Sequence, residues 1–142
     1  MEENIIKIVL DTNIFISSVF WEKGNPHKII EKAIEGKINV FTSEEILEEL
    51  KRVLKRDFDE SEDFIQEQIN LIKEYSEIIE IKERVDVVKE DPDDNKIIEC
   101  ALASNADYIV TGDNHLLKMQ EYKNTKIINP QQLIEMIYKL EL

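Results

Sequence analysis

A chain of 142 residues with 31 acidic against 18 basic side chains, net charge −13, is long enough for one domain with a real core. It is too acidic for broad electrostatic capture of nucleic acid, which asks for a basic surface. No apolar run approaches the ~18 residues needed to cross a bilayer, no signal-peptide pattern opens the chain, and the single cysteine, Cys100, has no partner for an internal disulfide, so a cytoplasmic protein away from membranes is expected.

Residues Ile5–Leu10 are too apolar for a surface strand and end in Asp11. A linker through Phe20 and Trp21 is expected next. A base could stack on that pair, but a core or dimer contact is the plainer use of two aromatics. Asn25-Pro26 offers an N-cap and Pro at N1 of a helix whose apolar stripe is Ile29, Ile30, Ala33 and Ile34, ending at Gly36. Ile38–Phe41 reads as a second strand. Thr42 and Glu45 make a capping box that opens a helix to about Arg56, and Ser61 opens another through Tyr75. Ile78–Ile81 and Val85–Val88 are short and ambiguous.

Asp91-Pro92 opens a helix to about Asn105, followed by a strand at Tyr108–Thr111 and one helical turn at Leu116–Met119. Lys126–Ile128 is a strand, and Asn129-Pro130 caps a last helix carrying Leu133, Ile134, Ile137 and Tyr138. The alternation predicts a single α/β domain over residues 1–142, an α/β/α sandwich with a central parallel sheet covered by helices on both faces.

Four acidic patches then stand out. Sites in open parallel sheets form at the carboxyl ends of the strands, where Asp11 and Asp113 both lie. The plain reading of Asp11 is a helix-capping turn residue, and that of Asp113, after Gly112, a simple turn. In Glu44-Glu45-Ile46-Leu47-Glu48-Glu49, at ~100° per residue, Glu48 lies opposite the stripe of Ile46, Leu47, Leu50, Val53 and Leu54. Glu49 lies on the border of that stripe and is favoured over Glu45. In Asp91-Pro92-Asp93-Asp94-Asn95, Asp91 reads as the N-cap. Asp94 points along the inward stripe of Ile97, Ile98, Ala101 and Leu102, and Asp93 is rotated away. Asp94 at a helix start could also serve only the dipole. Asn13 and Thr111 could hydrogen-bond the carboxylates from behind. Converging carboxylates repel unless protons or a cation offset the charge, and a hard divalent ion suits such a site. Such an ion would assist attack on a phosphate ester. Acids that hold a metal also count toward the −13, so the charge does not exclude a nuclease.

Ile8-Val9-Leu10-Asp11-Thr12-Asn13, the Glu49-Leu50 helix, Asp91-Pro92-Asp93-Asp94-Asn95 with Ala101, and Val110-Thr111-Gly112-Asp113 with Leu116-Leu117 together resemble the motifs of the PIN-domain family, closest to its branch of toxin ribonucleases from toxin–antitoxin pairs. The resemblance runs from Lys7 to about Leu133. It implies cleavage of single-stranded RNA with one or two Mg²⁺ or Mn²⁺ ions held by Asp11, Glu49, Asp94 and Asp113, with Thr111 in support. Related sequences often carry a further acid where this chain has His115, which puts more weight on Asp113 and leaves the second ion open.

Lys51, Arg52, Lys55 and Arg56, on the helix of Glu49, and His115 are candidate RNA contacts; a solvated helix end accounts for the first four equally well. A small antitoxin protein and a homodimer or higher oligomer are the expected partners. Two rivals stand beside this reading. A haloacid-dehalogenase-type phosphohydrolase also starts with a strand ending in Asp, but wants a second acid where Asn13 stands. A catalytically silent PIN-fold interaction module would not need all four acids. Cys100, with no oriented histidine in view, is not expected to be a nucleophile.

Overall fold

A computed structural model describes residues 5–141, so the expected boundaries at 1 and 142 lie outside the described residues. The elements run β1 (Ile6–Leu10), α1 (Thr12–Phe20), α2 (Asn25–Ile34), β2 (Ile38–Thr42), α3 (Glu44–Phe58), α4 (Glu62–Tyr75) and β3 (Ser76–Ile78). A 3-10 turn at Pro92–Asp94 then leads into α5 (Asn95–Ser104), β4 (Tyr108–Val110), α6 (Asn114–Leu117), β5 (Glu121–Tyr122), β6 (Thr125–Ile128) and α7 (Pro130–Glu141).

The sheet order is β3-β2-β1-β4-β6-β5. Every pairing is parallel except that of β5 with β6, so the sheet is mixed at one edge rather than wholly parallel. The hairpin responsible was not foreseen, because a two-residue strand carries no periodicity. Helices flank the sheet in an α/β/α sandwich. α5 crosses β1, β2 and β4, while α1 packs on α2 and α3. The core is aliphatic: Ile8, Val9, Leu10, Ile46, Leu47, Ile97, Ile98, Ile109 and Val110 are all buried. No helix among the described residues is long and apolar enough to cross a membrane.

Several boundaries differ from the sequence expectation. The expected linker before Trp21 is α1. Its residues Ile14, Phe15 and Ile16 are buried in a row, so the segment lacks the amphipathic period that marks a surface helix. Gly24 caps α2, one residue before Asn25. Ser43, not Thr42, caps α3 and accepts from the N–H of Ile46, because Thr42 is still paired in the sheet with Ile78. Of the two ambiguous segments, the first shares only Ile78 with a strand, β3, which begins two residues earlier at Ser76. The second, Val85–Val88, forms none: the N–H groups of Val85, Val87 and Val88 are taken by side chains of Glu99 and Asn95.

Three other end signals hold. Gly36 takes φ +78 just past α2, Ser61 caps α4 through the N–H of Phe64, and Asn129 and Gln132 exchange backbone N–H bonds at 2.8 Å each at the start of α7.

Candidate metal centre

The register of β1 with β4 pairs Leu10 with Val110, so the next residues, Asp11 and Thr111, leave the sheet side by side. The Asp11 N–H donates to the Val110 carbonyl at 3.0 Å. Thr111, fully buried, joins the two strand ends: its hydroxyl donates to Asp11 Oδ2 at 2.7 Å and accepts from the N–H of Asp113 at 2.9 Å. Asp113 caps α6 through Oδ1, which accepts from the His115 N–H at 2.8 Å. Its capping and site roles are thus compatible.

Asp94 enters from the opposite element. The 3-10 turn is closed by a bond from the Asp94 N–H to the Asp91 carbonyl at 3.0 Å. Asp94 is 8 % exposed, and its Oδ2 has no hydrogen-bond partner among the described residues. Oxygens of Asp91, Asp94 and Asp113 lie within 4.8 Å of one another. Oxygens on opposite sides of one Mg²⁺, bound at ~2.1 Å, are about 4.2 Å apart. Closing by about half an ångström would let all three share an ion.

Burial is the main force on Asp94 and Asp11. It pushes the Asp94 carboxyl up to about 8, helped by a shared hydrogen bond with Asp113 and by the charges of Asp11, Asp91 and Asp113. Burial also raises Asp11; the Thr111 hydroxyl opposes this, and Glu49 and Asp113 add to it. A buried carboxyl oxygen without a donor, facing other acids, is a costly arrangement. A divalent ion would relieve it.

Glu49, like Asp11, is outside that trio of converging oxygens, though its charge bears on Asp11. Its Oε1 accepts from the Thr12 hydroxyl at 2.7 Å and lies 3.3 Å from Lys96 Nζ. The orientations on α3 and at the start of α5 follow the helical phase: Glu49 and Asp94 turn inward, while Glu48 pairs with Lys51 at the surface and Asp93 is 64 % exposed. Glu45 pairs with Arg84, which also holds Glu99, so Glu45 faces the segment after β3.

Of the supporting residues, Thr111 sits where a carboxylate needs it, whereas Asn13 is exposed and makes no side-chain bond to the acids. Its neighbour Thr12 makes that contact instead. The basic candidates on α3 are occupied or free at the surface: Lys51 with Glu48, Lys55 with Glu62, Arg56 with Asp57, and Arg52 exposed near Asp93. His115 is 44 % exposed between Asp113 and Glu90. Phe20 stacks on Phe58 at 4.5 Å, while Trp21 remains 58 % exposed. Cys100 is buried, and burial pushes its thiol up to about 12, away from nucleophilic use.

Sequence reasoning missed Asp91, Thr12 and Lys96. Asp91 was given the cap role, yet its side chain makes no capping bond. Lys96 sits in a helix buried on every side from Asn95 to Ala101, and no sequence pattern marks a lysine as buried there.

A family model described as a PIN domain matches residues 7–115. The chain belongs to the PIN-domain family. PIN domains are in general metal-dependent nucleases, and the buried acidic cluster is compatible with metal binding. This PIN protein is 36% identical over 147 residues to the uncharacterized protein MJ1680 of Methanocaldococcus jannaschii, covering 95% of this chain and 94% of that one. Among solved structures it is similar to a chain in the crystal structure of VapBC2 from Rickettsia felis bound to a DNA fragment from their promoter. The TM-score is 0.63 at 18% identity, with 87% of this chain and 98% of that one covered, a likeness of fold.

Proposed function

We propose that the chain is a single-domain endoribonuclease that cuts single-stranded RNA with Mg²⁺ or Mn²⁺ and is the toxin of a toxin–antitoxin pair. The observation that carries this is the unpartnered Asp94 Oδ2, buried against Asp91 and Asp113 at the carboxyl edge of the sheet. Asp91, Asp94 and Asp113 would hold the ion, with Asp11 behind them through Thr111. When bound, such an ion polarises a phosphate oxygen and makes water more acidic. Glu49, fixed by Thr12 and only partly exposed, is placed to orient and deprotonate the attacking water. In-line attack would leave 5′-phosphate and 3′-hydroxyl ends.

RNA would approach along α3. Arg52 is free to meet phosphate there, and Lys51, Lys55 and Arg56 sit in surface pairs weak enough to exchange. His115 offers a contact at the rim. With net charge −13, binding should be weak and carried by these local contacts. The same charge suits a basic, amphipathic antitoxin segment. It would lie on the apolar face of Phe20, Trp21 and Phe64, reach the acids and block activity. The likeness of fold to a chain of VapBC2 from Rickettsia felis supports that pairing.

The test is an assay of the purified chain on single-stranded RNA, single-stranded DNA and a phosphomonoester, each with Mn²⁺ and with EDTA. Metal-dependent RNA cutting with little action on the others is expected. Hydrolysis of the phosphomonoester alone would sink the nuclease and favour a phosphohydrolase; no activity with metal bound would favour a silent interaction module.

A further inference from the structure

The charges of the site are compensated unequally. On one side, Asp91, Asp94 and Asp113 face each other, and one oxygen of Asp94 has no donor. On the other, Glu49 already has a cation: Lys96 Nζ lies 3.3 Å from Glu49 Oε1 and 3.1 Å from Asp93 Oδ2. The same Glu49 oxygen accepts from Thr12 at 2.7 Å. Lys96 is 7 % exposed. Burial of that degree takes its ammonium out of reach of a phosphate backbone in solvent and leaves Glu49 and Asp93 as its partners.

We propose that Lys96 is a resident cation that takes the place of a second divalent ion. The chain then loads one ion, on the Asp91–Asp94–Asp113 side, while Lys96 positions Glu49. A divalent ion on Glu49 Oε1 would have to displace two donors, and an ion on either oxygen would sit within a few ångströms of an ammonium group, where like charges repel strongly at reduced dielectric. On the first side no lysine or arginine among the described residues pairs with the three acids, and the exposed His115 ring stands 3.8 Å from Asp113 Oδ1. Lys96 is thus a positioning residue, acting through Glu49.

The inference rests on the metal reading above, and the experiment separates the two. Mn²⁺ is titrated calorimetrically into the full-length metal-free chain and into Lys96→Met, Lys96→Arg, Glu49→Gln and the double variant Glu49→Gln/Lys96→Met. Expected are one ion for the parent and Lys96→Arg, a second, weaker event in Lys96→Met, and its loss in the double variant. In Glu49→Gln the single event keeps its affinity, where loss of an ion-supporting group would cost about tenfold or more. Metal-free melting adds a second readout: Lys96→Met lowers the melting temperature and Glu49→Gln restores part of it, since the half-buried carboxylate would otherwise lack its counter-charge. Two ions in the parent, or one unchanged ion in a folded Lys96→Met, overturns the inference and leaves the metal reading standing. Should Lys96→Met not fold, a tenfold loss of affinity in Glu49→Gln overturns it instead. No ion in the parent defeats both.

Discussion

Thr111 Oγ1 is hydrogen-bonded to Asp11 Oδ2 at 2.7 Å across two strands that are a hundred residues apart in sequence. The hydroxyl counters the burial that raises the Asp11 carboxyl, and its oxygen accepts from the Asp113 N–H. One side chain therefore sets the orientation of two acids.

Replacing Thr111 by Val keeps the shape and removes both bonds. Hydrogen bonds to charged groups are worth ~1.5–3 kcal/mol, so Mn²⁺ affinity should fall roughly ten- to hundredfold. Thr111→Ser should retain most of it. Calorimetric titration of the three proteins checks this; equal affinity in Thr111→Val would remove the residue from the site's support.

The raised Asp94 carboxyl gives the metal-free protein an unusual pH dependence. Its folded value, about 8, stands above the ordinary aspartate value of 3.8, so between those values the unfolded chain has released a proton that the folded chain keeps. Stability from this group is full below about pH 4 and is lost as the pH rises toward 8. Melting temperature without metal should therefore fall over that window. In Asp94→Asn the fall should be flattened, and saturating Mn²⁺, which needs the ionised carboxylate, should reverse the slope. A metal-free melting temperature that climbs from pH 4 to 8 in the parent would contradict this account.

Asp91 and Asp93 are neighbours in sequence and differ in what they face. Asp91→Asn should weaken Mn²⁺ binding and RNA cutting about tenfold or more, because its oxygen is one of the three that converge. Asp11→Asn, Asp94→Asn, Asp113→Asn and Glu49→Gln should also suppress cutting. Glu48→Gln, an exposed position paired only with Lys51, should be neutral. Activity lost in Glu48→Gln but kept in Glu49→Gln would mean that α3 presents a different face to substrate.

Asn95 is buried and makes three bonds: its Oδ1 accepts from the N–H groups of Val87 and Val88 at 2.9 Å each, and its Nδ2 donates to the Pro92 carbonyl at 2.8 Å. Asn95→Ala would leave buried backbone groups unpartnered, at ~1–3 kcal/mol. For a chain of this length that is a fall of several degrees in melting temperature. Because Asn95 holds the turn that carries Asp91, metal affinity should drop as well. A melting temperature within a degree of the parent would show that water replaces these bonds.

Much of the fold was legible because its signals are local. Ile5–Leu10 and Tyr108–Thr111 are apolar runs closed by polar residues, and Ser61, Gly36 and Asn129 mark helix ends by their own chemistry. The helical phase separated Glu49 from Glu48 and Asp94 from Asp93. What stayed hidden depends on packing between distant segments. α1 is buried along successive residues and shows no amphipathic face. Lys96 and Glu99 look like solvent-facing letters, but Glu49 and Asp93 engage the first and the chain after β3 folds back onto the second. Asp91 reads as a cap until the 3-10 turn is seen to direct its carboxylate elsewhere.

That returning segment, residues 79–91, belongs to no ladder beyond its first bond to Thr42, yet three of its N–H groups end on side chains of α5. Such amides are released only when Glu99 and Asn95 let go. Their hydrogen exchange should then follow detachment of the whole segment rather than the fast fraying usual for a loop. Residues 85, 87 and 88 should be protected together and lose protection together. Their shared exchange rate would be a direct gauge of how firmly the Asp91 side of the site is held before any ion arrives.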